Sequence, residues 1–250
     1  MDEPEGEPPL RNAREDVLGS IRRSLGVTGA EAPRRMAVQN RLESTPEGVV
    51  PKRGQLDREG RTALMKERAE AAHATVAVLD RADDVPAEVA EFLRGINAPA
   101  TVRIGEDARL KSLPWGDTAL AVESGRSHGA DLNAVSHALG AIAESGTLAL
   151  VSGADNPTTL NFLPDNHIVV VAANDVAGDY ESIFSRLTDR YGAHTMPRTL
   201  NFITGPSRSG DIEQTLVLGA HGPRRLHILI VRDLDVVQAP RHGENEPQPS

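Results

Sequence analysis

The sequence predicts an α/β protein whose core is a mostly parallel β-sheet with helices on both of its faces. Short runs of Val, Ile and Leu recur along the chain, among them HIVVVAA at 167–173 and RRLHILIV at 224–231. Amphipathic segments that suit helices, such as DVPAEVAEFLRGIN at 84–97, alternate with these runs. Nearly continuous apolar strands are typical of parallel sheets covered by helices on both faces. With 250 residues, of which 39% are hydrophobic, the chain can bury such a core.

Residues 1–59 are predicted to form an N-terminal extension that precedes the α/β domain. The acidic, proline-rich start of the chain is typical of a disordered tail. The segment NAREDVLGSIRRSLG at 12–26 predicts a helix, because its apolar residues recur at helical spacing. The polar stretch that follows contains Pro33, Pro46 and Pro51 and predicts a linker or a wrapping arm.

Residues 60–234 are predicted to form the α/β domain, and residues 235–250 a flexible C-terminal tail. Helices are expected at about 55–73, at 84–97 and at 178–192, the last with Asp179 as its N-cap. The predicted strands are the short apolar runs TVAVL at 75–79, ATVRIG at 100–105, TALAVES at 118–124, TLALVSG at 147–153, HIVVVAA at 167–173, TLNFIT at 199–204 and RRLHILIV at 224–231.

Charge and composition argue against several functional classes. The net charge of −9 disfavours nucleic acid or an anionic membrane surface as the main partner. The chain has no cysteine, which excludes thiolate zinc sites and ordinary iron–sulfur ligation, and its scattered histidines predict no metal site. No apolar run approaches the roughly 20 residues of a membrane helix, and no signal peptide is readable. We therefore expect a cytoplasmic protein without a membrane span.

The first candidate site lies in the stretch FITGPSRSGDIEQTLVLGAHGP at 202–223. Gly205 and Gly210 match the spacing of a P-loop, but Asp211 stands where such a loop needs its lysine. A nucleotide-triphosphate site is thereby excluded. The segment instead predicts a tight turn after a strand, whose hydroxyl, guanidinium and backbone N–H groups suit a carboxylate or a phosphate. The residues of this predicted anion site are Gly205, Pro206, Ser207, Arg208 and Asp211.

A purely structural turn, in which Arg208 pairs with Asp211, explains the same residues. Further along, His221 is flanked by glycines in the motif GAHGP at 219–223. An imidazole in such a turn is accessible and titrates near neutrality, so His221 is a candidate for proton transfer, with Gly222 beside it in the site. A hairpin turn between two apolar runs would account for the motif equally well.

The third candidate is the turn at Glu144, just ahead of an apolar strand. A carboxyl group held between apolar neighbours can serve as a proton carrier or as a nucleophile, so Glu144 is the second candidate catalytic residue. An exposed turn glutamate is the alternative. The neighbours that would complete the anion site are Ser145, Gly146 and Thr147.

A competing motif lies in GRSHG at 125–129, which matches Gly-x-Ser-x-Gly between an apolar run and a segment expected to be helical. Taken literally, it predicts a serine hydrolase with Ser127 as nucleophile. No His-Gly-Gly type oxyanion loop precedes it, and its polar surroundings also suit a plain loop. The candidates for its orienting acid are Asp165 and Asp175, and those for its base are His194 and His221.

Three of these segments together resemble a known family. AIAESGTLAL, LPDNHIVVV and ITGPSRSGDIEQTLVLGAHGPRRLHILIV occur in the order and at the spacing seen in the lactate utilization protein C family, a cysteine-free group of LUD domain proteins. The resemblance covers about residues 60–232, and the N-terminal helix fits it as well. Ser145 stands where Thr is common, and Ser209-Gly210 where Thr-Ala is common, which keeps small residues at these positions.

The resemblance implies the three-layer α/β/α fold that ribose-phosphate isomerases, glucosamine-phosphate deaminases and CoA transferases share. It also implies a role in growth on L-lactate, which is oxidised to pyruvate by a system with iron–sulfur partner subunits. In that system this chain would have no cofactor of its own and would bind a partner, or a small carboxylate or phosphate-bearing ligand. By analogy with CoA transferases, a stand-alone enzyme that uses Glu144 is the alternative.

Overall fold

The computed structural model describes residues 13–44, 48–193, 195–210 and 216–234. The chain divides into two compact units between Val49 and Val50. Residues 50–59, which the sequence pattern assigns to the N-terminal extension, belong to the second unit. None of the helices in the described ranges is long and apolar enough to cross a membrane.

Within residues 13–44 the first unit contains two helices, α1 (Ala13–Leu25) and α2 (Ala32–Ser44), and neither contains a buried residue. The prediction of α1 is confirmed. The stretch around Pro33, predicted as a linker or a wrapping arm, is helical, and Pro33 lies in the first turn of α2. A proline there loses no helical hydrogen bond, since the first N–H groups of a helix have no partner within it. Pro46 lies outside the described residues.

The second unit is built on a six-stranded sheet in which every neighbouring pair of strands is parallel. Val and Ile alternate between the two faces of its central strand, so both faces are buried. In spatial order the strands are β1 (Thr75–Arg81), β12 (Arg225–Asp233), β7 (Asn166–Ala172), β4 (Asn133–His137), β2 (Thr101–Ile104) and β3 (Ala121–Ser124).

A second, four-stranded sheet is mostly antiparallel. Two of its three pairings are antiparallel and one is parallel. In spatial order its strands are β8 (Val176–Ala177), β5 (Gly140–Ile142), β6 (Thr147–Val151) and β9 (Leu200–Ile203). The short strands β10 (Arg208–Gly210) and β11 (Leu216–Leu218) form a separate antiparallel pair.

The placement of TLALVSG and TLNFIT in the parallel sheet is wrong, because they form β6 and β9 of the second sheet. Only four residues separate β5 from β6. A parallel connection needs a dozen residues or more, so this short turn forces an antiparallel pair. The helical segment expected after Gly129 is also wrong, since the chain there forms β4, all five of whose residues are buried.

Helices cover both faces of the parallel sheet. The expected helices are confirmed, and the side chain of Asp179 accepts a hydrogen bond from the Ser182 amide at 2.8 Å, as an N-cap does. The helices of the second unit are α3 (Arg58–Ala71), α4 (Val85–Gly95), α5 (Ala108–Lys111), α6 (Thr158–Phe162) and α7 (Tyr180–Tyr191).

The core formed by the described residues has three parts. On one face of the parallel sheet, α4 packs through apolar residues such as Leu93 against strand residues such as Ile168. On the other face, α3 and the second sheet pack through Met65 and Leu148. Helix α7 covers the second sheet in the third part, which contains Ile183. The predicted α/β class, with a mostly parallel sheet between layers, is confirmed.

Candidate functional site

The two glycine-bearing turns meet at the end of the second sheet. The Glu144 turn leads into β6, and the Gly205 turn follows β9. Leu148 lies opposite Ile203 in the antiparallel β6–β9 pair, which places the two turns side by side. The sequence prediction that these segments lie at one place in the fold agrees with this geometry.

Hydroxyl groups join the two turns. The Oγ1 atoms of Thr147 and Thr204 are 2.6 Å apart, and Thr147 Oγ1 is 3.2 Å from the hydroxyl of Tyr180. The Ser145 hydroxyl completes the cluster, 2.8 Å from Thr147 Oγ1 and 3.2 Å from the Tyr180 oxygen. Since Thr147 is fully buried, its hydroxyl needs these partners. Ser145 and Thr147 were predicted to donate hydrogen bonds to a ligand, but in the structure their hydroxyls are bonded to protein groups.

The glycines of both turns allow close contact with the end of α3. Gly146 and Gly205 have positive φ angles of 69° and 73°. A Cβ atom on Gly146 would lie 2.5 Å from the backbone nitrogen of Ala69, and one on Gly205 would lie 2.2 Å from the carbonyl oxygen of Ala72. Close packing against α3 therefore explains why both positions are glycine, and the sequence does not reveal this contact.

Glu144 is buried, and its carboxylate faces a cation. Its side chain is 6% exposed, and Oε2 lies 3.4 Å from the Nε atom of Arg53, an exposed residue. Among the described residues, Oε2 has no hydrogen-bond partner. Glu144 does not line the pocket described below, so its candidate role in proton transfer there gains no support from the geometry.

The turn after Gly205 is held by backbone hydrogen bonds. The Ser207 amide donates to the carbonyl of Pro223 at 2.8 Å, and the Gly219 amide donates to the carbonyl of Ser207 at 3.0 Å. The expectation that the Ser207 amide is available to an anion is therefore wrong. Arg208 Nη2 donates to the carbonyl of Ala72 at 3.2 Å, which leaves other N–H groups of the guanidinium for a ligand. Asp211, its predicted partner, lies outside the described residues.

A pocket of about 280 Å³ opens beside this turn. It is smaller than a typical site for a drug-sized ligand and suits a small organic molecule. Phe162, Phe202 and Leu226 give it apolar walls. The pocket brings together six of the predicted site residues, which are Gly205, Pro206, Ser207, Arg208, His221 and Gly222.

Two fully buried polar residues, Asn161 of α6 and His167 of β7, also line the pocket. The His167 Nε2 atom is 3.0 Å from the Ser136 hydroxyl, which donates to Asn161 Oδ1 at 3.3 Å. Burial lowers the pKa of His167 to about 3, so the imidazole is neutral at physiological pH. Among the described residues, His167 Nδ1 and Asn161 Nδ2 have no hydrogen-bond partner.

Sequence reasoning missed both of these residues. His167 is the first residue of the apolar run HIVVVAA. A histidine in a strand that is buried on both faces could have indicated a functional residue, because a buried polar group needs a partner. Asn161 gives no such signal, because α6 spans only five residues. The pocket also lies beside the first residues of β7 and β12, whereas the general rule for parallel sheets places ligands beside the carboxyl ends of the strands.

The serine hydrolase alternative gains no support. Ser127 is 2% exposed, and its Oγ accepts a hydrogen bond from the Gly129 amide at 3.3 Å. The loop runs into β4 rather than into the helix that a nucleophile elbow requires. The candidate acids Asp165 and Asp175 form ion pairs with arginines. Of the candidate bases, His194 lies outside the described residues, and His221 lines the pocket, which Ser127 does not line.

No group of three or more His, Asp or Glu side chains that could hold a metal ion occurs among residues 13–44, 48–193, 195–210 and 216–234. The donor groups of the pocket are an arginine, histidines and an amide, which suit an anionic organic ligand better than a cation. The pocket is therefore a candidate site for a small anion.

The protein is of the α/β class, and a small pocket with buried polar residues lies beside its parallel sheet. The chain belongs to the LUD domain family, whose model matches residues 62–231. A structure titled as a DUF162 family protein from Deinococcus radiodurans aligns with a TM-score of 0.52 at 23% identity, over 70% of this chain and 99% of that one. At this identity the likeness shows a shared fold.

Among named relatives, the chain is 38% identical over 93 residues to lactate utilization protein C of Geobacillus sp. (strain WCH70). It is 38% identical over 94 residues to the protein of the same name from Geobacillus thermodenitrificans (strain NG80-2). Each match covers 37% of this chain and 39% of the relative, so the similarity spans about two fifths of either protein.

Proposed function

We propose that this chain is a non-redox component of an L-lactate utilisation system and that it binds a small carboxylate in the pocket beside Arg208. The name of its relatives, lactate utilization protein C, supports the assignment to lactate utilisation. The pocket supports the binding role, because it combines an exposed guanidinium with a buried polar end and apolar walls. The chain has no cysteine and so cannot ligate an ordinary iron–sulfur cluster, and in this proposal partner subunits with such clusters carry the electrons of lactate oxidation.

The observation that carries the binding role is the pocket itself. Arg208 and His221 lie at its exposed side, and Asn161 and His167 at its buried side. A carboxylate that enters can accept hydrogen bonds from the guanidinium, while its carbon skeleton contacts Phe162 and the other apolar walls. This arrangement requires neither a metal nor a covalent intermediate.

The substitution Arg208→Gln tests the binding role. We expect it to weaken the binding of L-lactate and pyruvate at least about tenfold, because a charge-assisted hydrogen bond to the carboxylate is lost. Isothermal titration calorimetry on the full-length protein gives both dissociation constants. The matched control is Arg126→Gln, since Arg126 is exposed and does not line the pocket. Equal affinity in both variants and the unmodified protein would contradict the proposal.

A genetic experiment tests the proposed role in lactate utilisation. We expect deletion of the gene to abolish growth on L-lactate as carbon source, and the protein to co-purify with iron–sulfur subunits. Restoring the gene should restore growth, and the Arg208→Gln variant should restore it less well. Normal growth of the deletion strain on lactate would overturn the assignment to lactate utilisation.

A further inference from the structure

A strip of exposed aromatic side chains leads out of the pocket. This aromatic strip consists of Phe162 on α6, Phe202 on β9 and Phe184 on α7, which are 40%, 38% and 46% exposed. Phenylalanine is among the residues most often buried, and these are three of the four in the chain. Contiguous apolar surface that stays exposed marks binding sites, so we asked what the strip can bind.

The aromatic strip is continuous with the wall of the pocket. Phe162 and Phe202 line the pocket, and Phe184, which lies outside it, packs edge-to-face on Phe202 with the ring centroids 6.0 Å apart. Phe202 also packs edge-to-face on Tyr180 at 5.4 Å, and the Tyr180 hydroxyl lies 3.2 Å from Thr147 Oγ1. These contacts hold the Phe202 ring in place, so the strip is a preformed apolar surface that runs from the pocket to the outside.

Arg208 provides a cation at the pocket end of the aromatic strip. It is exposed and lines the pocket together with Phe162 and Phe202. Its Nη2 atom donates to the carbonyl of Ala72, which leaves other N–H groups of the guanidinium for a ligand. The guanidinium and the three rings are all accessible from outside the protein. A ligand that contacts both features must carry an anionic group and an apolar tail.

The size of the aromatic strip favours a small molecule over a protein as its ligand. A phenylalanine side chain has roughly 200 Å² of surface, so three rings that are about 40% exposed offer only about 250 Å². A stable interface between two proteins takes roughly 800 Å² from each partner. The strip by itself is too small for such an interface, but it can cover one side of a hydrocarbon tail whose charged head lies in the pocket.

We propose that the pocket and the aromatic strip together bind monocarboxylates with a hydrocarbon tail. The carboxylate accepts hydrogen bonds from Arg208, and the tail leaves the pocket across Phe202 and reaches Phe184. This inference rests on the proposed binding of a small carboxylate and adds a class of ligand to it. Acids with a longer apolar tail bind more tightly than acids as short as lactate, because only they cover the strip.

Calorimetric titration of the full-length protein with two straight-chain acids tests the inference. Propionate and octanoate carry the same carboxylate and differ only in the length of the tail. We expect octanoate to bind at least about tenfold more tightly, because each methylene group that lies against an aromatic ring adds about twofold in affinity. Octanol is the neutral control and should bind more weakly than octanoate, since it lacks the charge that pairs with Arg208. Equal affinity for the two acids would overturn the inference.

The substitution Phe184→Ser tests whether the tail reaches the outer end of the aromatic strip. Phe184 lies outside the pocket, so a short acid does not contact it. We expect this variant to bind octanoate about fourfold more weakly and propionate with unchanged affinity, because only the longer tail loses a contact. The matched control Phe184→Leu keeps an apolar side chain and should retain most of the affinity for octanoate. Unchanged binding of octanoate to Phe184→Ser would contradict the inference.

The titrations separate this inference from the proposed function. Equal affinity for both acids, weakened by Arg208→Gln, overturns the contribution of the aromatic strip and leaves the carboxylate site in place. Binding of neither acid overturns both. Octanol binding as tightly as octanoate overturns the inference, because the tail then binds without its carboxylate. If Phe184→Ser does not fold, the comparison of propionate, octanoate and octanol on the unmodified protein decides alone.

Discussion

The substitution Gly205→Ala should reduce the free energy of unfolding by about 3–5 kcal/mol, since it combines backbone strain with a clash. The φ angle of Gly205 is 73°, a value that residues other than glycine rarely adopt. The new Cβ would lie 2.2 Å from the carbonyl oxygen of Ala72, a backbone atom at the end of α3 that cannot rotate away. Urea denaturation followed by circular dichroism measures the loss.

A second glycine separates the two causes. Gly129 also has a positive φ angle, 89°, but a Cβ atom there would meet nothing within 4 Å. We therefore expect Gly129→Ala to cost only the strain, about 1–2 kcal/mol. Gly146→Ala should resemble Gly205→Ala, because its Cβ would lie 2.5 Å from the backbone nitrogen of Ala69. Equal losses for Gly129→Ala and Gly205→Ala would show that the contact with α3 does not matter.

These glycines illustrate what the sequence can and cannot reveal. Their positions identify turns, since glycine is the residue that tolerates a positive φ. The sequence leaves open whether each turn binds a ligand or is purely structural. The close contact with α3 depends on residues more than 70 positions away for Gly146 and more than 130 for Gly205, and no local pattern encodes it.

The strands of the parallel sheet were predictable for a physical reason. A strand buried on both faces must be apolar at nearly every position, and β7 and β12 carry this signal directly. Strand β4 is also buried throughout, but its sequence NAVSH contains three polar residues. Asn133 and Ser136 form their hydrogen bonds with distant parts of the chain, such as that from Asn133 to the carbonyl of Thr101, so local composition misleads.

The candidate site was predictable in part. The Gly205–Arg208 turn and His221 were found because glycine, proline, arginine and histidine are unusual between apolar runs. The structure places them in one pocket. The buried end of that pocket was not predictable, because Ser136, Asn161 and His167 come from three elements whose register only the folded sheet defines.

Three buried histidines should make the protein sensitive to mild acid. Burial lowers the pKa of His167 to about 3 and that of His227 to about 4. Burial and then the charge of Arg109 lower the pKa of His137 to about 4. In the unfolded chain each imidazole has a pKa near 6.5. Each is therefore protonated in the unfolded state at a pH where it stays neutral in the folded one.

The sign of the effect follows from this difference in proton binding. A histidine whose folded-state pKa is lowered contributes stability above the unfolded pKa, and this contribution is lost as the pH falls from about 6.5 towards the folded pKa. Each imidazole contributes a slope of up to about 1.4 kcal/mol per pH unit, so the three together contribute up to about 4 kcal/mol per unit. Carboxylates with lowered pKa, such as Asp107 and Asp179, lose their contribution to stability only below about pH 5.

We therefore expect the free energy of unfolding to be nearly constant between pH 7 and 8 and to fall steeply between pH 6.5 and 5. Urea titrations at half-unit steps of pH measure the slope. The variant His227→Phe should reduce it by about a third, because a nonpolar ring can replace the imidazole that stacks on Phe92 at 4.2 Å. The exposed His128, changed to Gln, is the control and should leave the slope unchanged. A constant free energy of unfolding down to pH 5 would show that the buried imidazoles accept protons in the folded state.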